Sequence, residues 1–395
     1  MPKLSVNLVS FNGEKYLSPC LSSVLAQNFM DFSVLIIDNG SSDGTRGYIE
    51  KWAEIFKKNG IEVKTIFLEK NVGFAGGHNL GIREVMRGKN PPLSTFEKGG
   101  NIEYICCLNQ DIILRPEFFE KIIEFMDANP KCGSASGKLM SARDEIFKNV
   151  RDLSVSSSIG SDDVGRNDKN EIGKIDYELL KNECKIIDSA GFKIFKSQRV
   201  IEKGQGEEDN GQYDKIEEVF GVSGAVPIYR MSALEDVKMV CKDAINCVST
   251  IDEKFEYFDE DFFSYKEDVD LAYRMRWRGW KSFTAPVVAY HKRTAKDATG
   301  RKSDFFSALN RKNKSKFANY HSQRNQLFLL VKNLPKLNFV VLWYEGKKFI
   351  YELIFEWNTF KAWFDALKKI RVMREKRRWI MGNRKINPSE IEKWF

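Results

Sequence analysis

The stretch VLIIDNGSSDGT, Val34 to Thr45, decides the fold. Val34–Ile37 is a short apolar run, the pattern of a strand buried on both faces. It ends on Asp38, and Asn39-Gly40-Ser41-Ser42-Asp43-Gly44 is turn chemistry. Apolar residues then recur at helical spacing through Trp52 and Phe56. A buried strand, a polar turn and a helix make one βα unit. Its strand-end carboxylate stands where open α/β sheets bind their ligands. Asp38 can accept from a base N–H or a ribose hydroxyl. Asp43 and Thr45 have an equally good structural use as caps of the next helix.

The same unit repeats on either side. Leu4–Val9 is a strand ending at Ser10-Phe11-Asn12-Gly13, followed by a helix over Tyr16–Ala26. Ile61–Leu68, a helix over Gly76–Met86, and Tyr104–Leu108 closed by Asn109-Gln110-Asp111 continue the series. This βαβαβαβ order predicts an α/β fold, a mostly parallel sheet with helices on both faces. Asn12, Asp38 and Asp111 then share one rim. Arg143 to about Tyr177 and Glu202–Glu218 are polar and read as mobile surface loops. Further on come Ile186–Phe195, Phe220–Tyr229 and a helix over Met231–Val240. A helix from about Glu267 to Arg278 stops at Gly279-Trp280, and a strand through Val287-Val288 ends at His291.

At 395 residues the chain exceeds the roughly 250 to 300 at which a single core stops growing, so an appendage is expected. Charge locates it. Residues 301–395 hold 22 Lys and Arg against 8 Asp and Glu, leaving 41 basic and 47 acidic residues over 1–300. The net +8 is thus the sum of an acidic domain, 1–300, and a basic helical region, 301–395. In that region Phe349, Leu353, Trp357, Phe360, Phe364 and Leu367 are spaced by three and four among lysines, an amphipathic pattern with two uses. It can pack on the main domain or a second copy, or lie on an anionic membrane surface, where indole rings and basic residues both find partners. Seven cysteines, an odd number without a CxxC pair, read as reduced thiols of a cytoplasmic protein. Neither a secretory signal at the N-terminus nor a run of about 18 apolar residues is present.

Several stretches carry chemistry. Asn71-Val72-Gly73-Phe74-Ala75-Gly76-Gly77-His78-Asn79 has three glycines before a helix, which lets backbone approach a ligand or simply turn tightly. Asp111 follows a buried strand and suits a hard divalent cation, or else caps the next helix. Ser264-Tyr265-Lys266-Glu267 fits a capping box, leaving Asp268 or Asp270 free to act as a base. His291 alone is an ordinary strand-end histidine.

In combination, these motifs resemble the family 2 inverting glycosyltransferases of the GT-A fold, and among them the bacterial rhamnosyltransferase-type enzymes of cell-surface polysaccharide synthesis. The similarity covers about residues 3 to 295. It rests on Val9–Asn12, Ile37–Thr45, Asn71–Gly77, Phe262–Leu271, Asp188-Ser189-Ala190-Gly191 and Gly221–Ala225. The resemblance implies donor-side contacts from Ser10, Asn12, Asp38, Gly76, Asn79, Asn109 and Gln110, with Asp38 on the nucleobase. It implies acceptor-side roles for Gly224 and Glu267, Asp268 as catalytic base, and Asp111 and His291 as ligands of Mg²⁺ or Mn²⁺. The family's Asp-x-Asp begins here with Asn109, so fewer protein charges hold the metal. It also implies a dTDP-rhamnose or UDP-sugar donor, a glycan or polyprenyl-diphosphate-linked acceptor, and a place on the inner face of the cell membrane. The 202–218 loop is expected to close over the donor.

Two other classes fit the composition. A nucleotidyltransferase would want a basic Gly-rich loop near the N-terminus, which Ser10-Phe11-Asn12-Gly13 does not supply. A nucleic-acid-binding protein would use the basic tail with stacking aromatics. The sugar-transfer reading involves no nucleic acid and leaves homo-oligomerisation open.

Overall fold

The computed structural model describes residues 2–87, 102–148, 175–240, 255–292 and 315–395. β1 (Leu4–Ser10), α1 (Leu17–Leu25), β2 (Phe32–Asp38), α2 (Thr45–Lys58), β3 (Val63–Phe67), α3 (Gly73–Arg87) and β4 (Tyr104–Asn109) alternate as the sequence predicts. β1 lies parallel between β2 and β4, and β3 pairs parallel with β2. Side chains alternate across the sheet: Val34 and Ile36 of β2 join Leu4, Val6 and Leu8 of β1 on one face, while Leu35 and Ile37 enter the other. Both faces are apolar, so both need cover. α1, α2 and α4 (Phe118–Ala128) cover the first through Leu21, Trp52 and Phe119; α3 covers the second through Ile82 and Val85.

The second half extends the sheet. β5 (Ile112–Leu114), β6 (Cys132–Ala142), α5 (Tyr177–Glu183), β7 (Ile187–Ser189), β8 (Phe192–Ile194), β9 (Val200–Glu202), β10 (Glu217–Val219), β11 (Ile228–Arg230) and α6 (Met231–Val237) follow in order. β12 (Met239–Val240), β13 (Phe255–Glu256), a 3-10 turn at Glu260–Phe262, α7 (Glu267–Trp277) and β14 (Lys281–Lys292) complete this part. The order across the sheet is β10-β14-β6-β11-β4-β1-β2-β3, with β5 on β14 and β7 on β6. β11 runs antiparallel between β4 and β6. The architecture is the mostly parallel GT-A type sheet with helices on both faces.

Two expectations change. The helix expected through Val240 stops at Val237, because Lys238 is extended and Met239–Val240 pairs with Phe255–Glu256. The acidic 202–218 loop is tied down: Lys138 lies 2.6 Å from Asp209 and 2.5 Å from Asp214, and the Asp209 N–H donates to the Lys185 carbonyl. The other polar loop falls largely on 149–174, outside the described residues. Of the seven cysteines, Cys20, Cys106, Cys107, Cys132 and Cys184 are free and buried; Cys241 and Cys247 lie outside the described residues.

The basic region is helical and packs on the sheet domain. α8 (Lys316–Asn333), α9 (Phe339–Phe355), α10 (Trp357–Lys368), α11 (Ile370–Gly382) and α12 (Pro388–Glu392) follow one another. Phe328, Leu329, Met373, Ile380 and Ile391 share a cluster with Phe262, Tyr273 and Trp277. Charge joins the same interface. Lys332, fully buried, contacts Asp259 and lies 2.8 Å from Asp270, while Lys376 lies 2.8 Å from Glu256 and 2.9 Å from Asp261. The interruption in the amphipathic pattern falls at Glu356 between α9 and α10; Phe360 turns inward, and Leu353, Trp357, Phe364 and Leu367 face out.

Candidate active site

Parallel register sets the carboxyl ends of three strands side by side, with Ser10 opposite Asp38 and Val9 opposite Asn109. Asp38 is fully buried; it accepts from the Ser41 N–H at 3.2 Å and from Arg46 Nε at 2.7 Å. Arg46, which the sequence reading missed, also donates to the Leu68 carbonyl at 2.6 Å and so fixes the carboxylate against β3. Asn12 adopts φ 49° and accepts the Ser42 N–H at 2.9 Å, locking the first loop to the turn after β2. Asp43 accepts the Thr45 N–H at 3.1 Å from the position before the N-cap, which is Gly44 and makes no side-chain cap bond. Ser10 and Gln110, both expected on the donor, bond to each other: Ser10 Oγ donates to Gln110 Oε1 at 2.6 Å, and the Gln110 amide exchanges two bonds with the Phe11 backbone. A Cβ on Gly13 would come within 2.2 Å of Gln110 Oε1, which explains glycine there.

Two further donor-side expectations are corrected. Asn79 is fully buried; its amide donates to the Phe258 carbonyl and Glu260 and accepts the N–H groups of Tyr257 and Phe258, so it anchors the 255–260 segment. Gly76 is buried within the first turns of α3, where close packing is the theme: a Cβ on Gly77 would come within 2.8 Å of Val9, and one on Gly73, at φ 81°, within 2.4 Å of the Phe263 carbonyl. His78 is sealed between Phe74 and Phe258, and burial pushes it down to about 3.

On the β5–β14 side, His291 pairs with Ile112, which brings its ring beside Asp111. His291 Nδ1 lies 2.8 Å from the buried Asp188 carboxylate, and Nε2 lies 3.7 Å from Asp111 Oδ2. With a proton on Nδ1 held by Asp188, Nε2 presents its lone pair toward the Asp111 oxygen. A carboxylate behind a histidine that faces a second carboxylate is the donor set of a divalent-cation site. The residues fit the metal that the resemblance implies, with two protein ligands. Among the described residues no group of three His, Cys, Asp or Glu side chains stands ready for a cation.

Asp268 opens α7 on the adjoining side. Its Oδ2 accepts the Gly224 N–H at 2.9 Å and its Oδ1 the Val269 N–H at 2.7 Å. Burial raises its pKa above the usual aspartate value, though the side chain is only half-buried. Gly224 is followed by Ala225, whose carbonyl accepts the Asn109 N–H at 2.9 Å, so a short backbone path joins the Asp268 anchor to the Asn109–Asp111 rim. Burial, and next the Asp268 charge, push Glu267 well up, the direction of a carboxyl that keeps its proton. Asp270 is not free as a base: it is fully buried against Arg274, Asn333 and Lys332.

The loop before Asp268 is strained. Phe263, Tyr265 and Lys266 all have φ between 62° and 72°, a cost of about 1–3 kcal/mol each. Lys266 in that conformation begins the helix, so the expected Ser264–Glu267 capping box does not form. The tail holds the loop: Asn325 of α8 donates to the carbonyls of Phe262, Ser264 and Tyr265, and Arg324 to those of Asp261 and Phe262. Glu202 is another residue that sequence reading missed; it accepts from the Ser189 and Ser223 hydroxyls and ties β7, the strand of Asp188, to the loop before Gly224. Its position at the edge of an acidic run gave no signal.

Residues 5–177 match the family model described as Glycosyl transferase family 2. Over this segment, less than half of the chain, the sequence is similar to family 2 glycosyltransferases. The segment includes Asp38, Asn109 and Asp111; Asp188, Gly224, Asp268 and His291 lie beyond it. The chain is 28% identical over 158 residues to the poly-beta-1,6-N-acetyl-D-glucosamine synthase of Staphylococcus epidermidis, covering 40% of this chain and 34% of that protein. It is 26% identical over 128 residues to an uncharacterized glycosyltransferase of Haemophilus influenzae, covering 32% of this chain and 34% of that protein. The match therefore spans about a third of the length of these curated relatives. In fold, the chain is similar to GalNAc-T7 in its crystal structure with UDP, GalNAc and Mn²⁺, at TM-score 0.51 and 11% identity, covering 97% of this chain and 56% of that one.

Proposed function

We propose that this protein moves a sugar from a nucleoside diphosphate to a hydroxyl of a glycan or lipid-linked acceptor, with inversion, in the synthesis of a cell-surface polysaccharide. The observation that carries the reading is the rim on which Asp268 and the Asp111–His291 pair are joined through Gly224, Ala225 and Asn109. A sugar hydroxyl is a weak nucleophile. Asp268 takes its proton as the oxygen bonds to the anomeric carbon, while the bond from that carbon to the diphosphate oxygen breaks. Attack opposite the leaving group inverts the centre. The raised pKa of Asp268 makes it a stronger base than an ordinary aspartate. Bound between Asp111 and His291, Mg²⁺ or Mn²⁺ would supply positive charge to the departing diphosphate. Asp38 and Asn12 take the nucleoside end. The name of the Staphylococcus epidermidis relative supports polysaccharide construction.

dTDP-L-rhamnose is the donor the subgroup resemblance favours, and UDP-sugars are the competing arm of the same test. A polyprenyl-diphosphate-linked acceptor fits a cytoplasmic enzyme peripheral to the inner face of the membrane, its basic tail toward anionic lipid. Thermal-shift screening of both donor classes with and without Mn²⁺ tests donor and metal, and proton NMR of the product tests inversion. Asp268→Asn should keep donor binding and abolish transfer. Substantial turnover by that variant removes Asp268 as the base, and no shift with any nucleotide sugar refutes the class.

A further inference from the structure

Helix α9 is built inside out. Its inward face carries Val341, Glu345 and Glu352, all buried; Gln323 donates to Glu345, and the Trp363 indole donates to Glu352 at 2.7 Å. Its outward face carries Phe339, Leu342, Trp343, Ile350, Leu353 and Ile354, spaced by three and four, with Phe339 77% and Ile354 64% exposed. An ordinary surface helix has the reverse polarity. The apolar face continues onto α10, because Phe349 packs on Phe360 at 5.1 Å and Phe360 on both Trp357 and Phe364, and these last two are exposed. Continuous apolar surface of this kind marks an interaction site.

Charge chooses the occupant. Lys336, Lys347, Lys361 and Lys368 are exposed along this hairpin, and the Lys347 ammonium stands 4.9 Å over the Trp343 ring. A second copy would set these cations against their own kind; anionic headgroups complement them, and indoles settle at that depth. No helix among the described residues is long and apolar enough to cross a membrane. We infer that α9, with the exposed edge of α10, lies in the plane of an anionic bilayer surface and inserts its apolar face among the headgroups and upper acyl chains. This deepens the anionic-surface reading above and rests on it: the lysines attract, and the apolar face anchors.

The experiment is flotation of the full chain with phosphatidylcholine vesicles, plain or about one-third phosphatidylglycerol, at low salt and at about 0.5 M NaCl, where screening shortens to a few ångströms. Tryptophan emission is read in parallel. The wild type should float with anionic vesicles at both salt concentrations, with a blue shift. Ile350→Glu/Ile354→Glu, both on the exposed face, should keep the wild-type Tm and lose about a hundredfold in high-salt partitioning. Wild-type binding that vanishes at high salt overturns insertion but leaves the electrostatic reading; no binding at low salt overturns both. A vesicle-free dimer that the double variant splits makes a second copy the occupant and overturns the inference.

Discussion

Lys332→Met probes the charge that joins the tail to Asp259 and Asp270, on either side of the loop before Asp268. Lys332, Asp259 and Asp270 are all fully buried, and one ammonium serves both carboxylates. Methionine matches the stem of lysine, so the change removes charge with little change of volume. Lys376 remains on Asp259, and Arg274 and Asn333 on Asp270. Breaking a buried pair from one side costs about 3–5 kcal/mol. Acid pH supplies a second signature. Burial alone would push Asp259 up, but Lys332 and Lys376 outweigh it and hold the carboxyl well below its usual range; Asp270 is lowered in the same way by Lys332 and Arg274. A depressed folded pKa contributes stability above the unfolded value of about 3.9 and loses it as pH falls through the folded value. Without Lys332 that contribution shrinks, so the deficit should be largest at neutral pH and narrow toward about pH 4, where the orphaned carboxyls take up protons. Urea denaturation followed by tryptophan fluorescence at both pH values measures it. A neutral-pH deficit below about 1 kcal/mol, or one that does not narrow in acid, refutes the reasoning.

A Cβ on Gly224 would stand 2.9 Å from Asp268 Oδ2 and push that oxygen off the Gly224 N–H, a bond that lowers the Asp268 pKa; Gly224→Ala should therefore move the acid limb of the kcat/KM profile to higher pH. Asp188→Asn removes the carboxylate behind His291 and should weaken Mn²⁺ binding by about 10- to 100-fold in calorimetry, with the fold retained. Glu256 is raised to about 7 by burial, with Asp259 adding to the lift against Lys376. A carboxyl raised on folding destabilises progressively as pH climbs from its unfolded value to its folded one, so Glu256→Gln should gain stability over the wild type between about pH 4.5 and 7 and hold that gain above. Urea midpoints across that range check the sign.

The strands were legible because they are buried on both faces. Val34–Ile37 and Ile105–Leu108 are unbroken apolar runs of four, too short for a helix and each closed by polar turn residues, the pattern of strands buried on both faces. Asp38, Asp111 and His291 stood out as polar residues where such runs stop. Asn79 and Gly76 were misplaced, since a sequence shows that a loop is rich in glycine and amide but not whether those groups face a ligand or a neighbouring backbone. Glu202, Arg46 and Asn325 escaped notice for a related reason. Each acts through partners distant in the chain, such as Ser223 for Glu202 and Tyr265 for Asn325, and nothing in local spacing encodes that meeting. The tail was legible in its charge and its helical periodicity, but not in its partners. Its lysines were countable, but the acids of the 256–261 segment that receive Lys332, Lys369 and Lys376 became visible only in the folded chain.

That pairing changes how the tail can be tested. Truncation near residue 300 would remove the amphipathic face, but also Asn325 from three carbonyls of the loop before Asp268, Lys332 and Lys376 from a buried acidic cluster, and Phe328, Met373 and Ile380 from a shared core. α8 holds the strained loop at Ser264 and Tyr265, while the Ala75 N–H of α3 holds the Phe263 carbonyl. Loss of activity in the truncated chain would thus follow from the fold whether or not lipid is involved. The outward residues of α9 carry no such duty: Ile350 and Ile354 are exposed, while the polar side of the same helix makes the internal contacts. Reversing polarity on that face alone separates the two roles of the tail, because α8 keeps its hold on Asp268's loop while α9 loses its apolar surface.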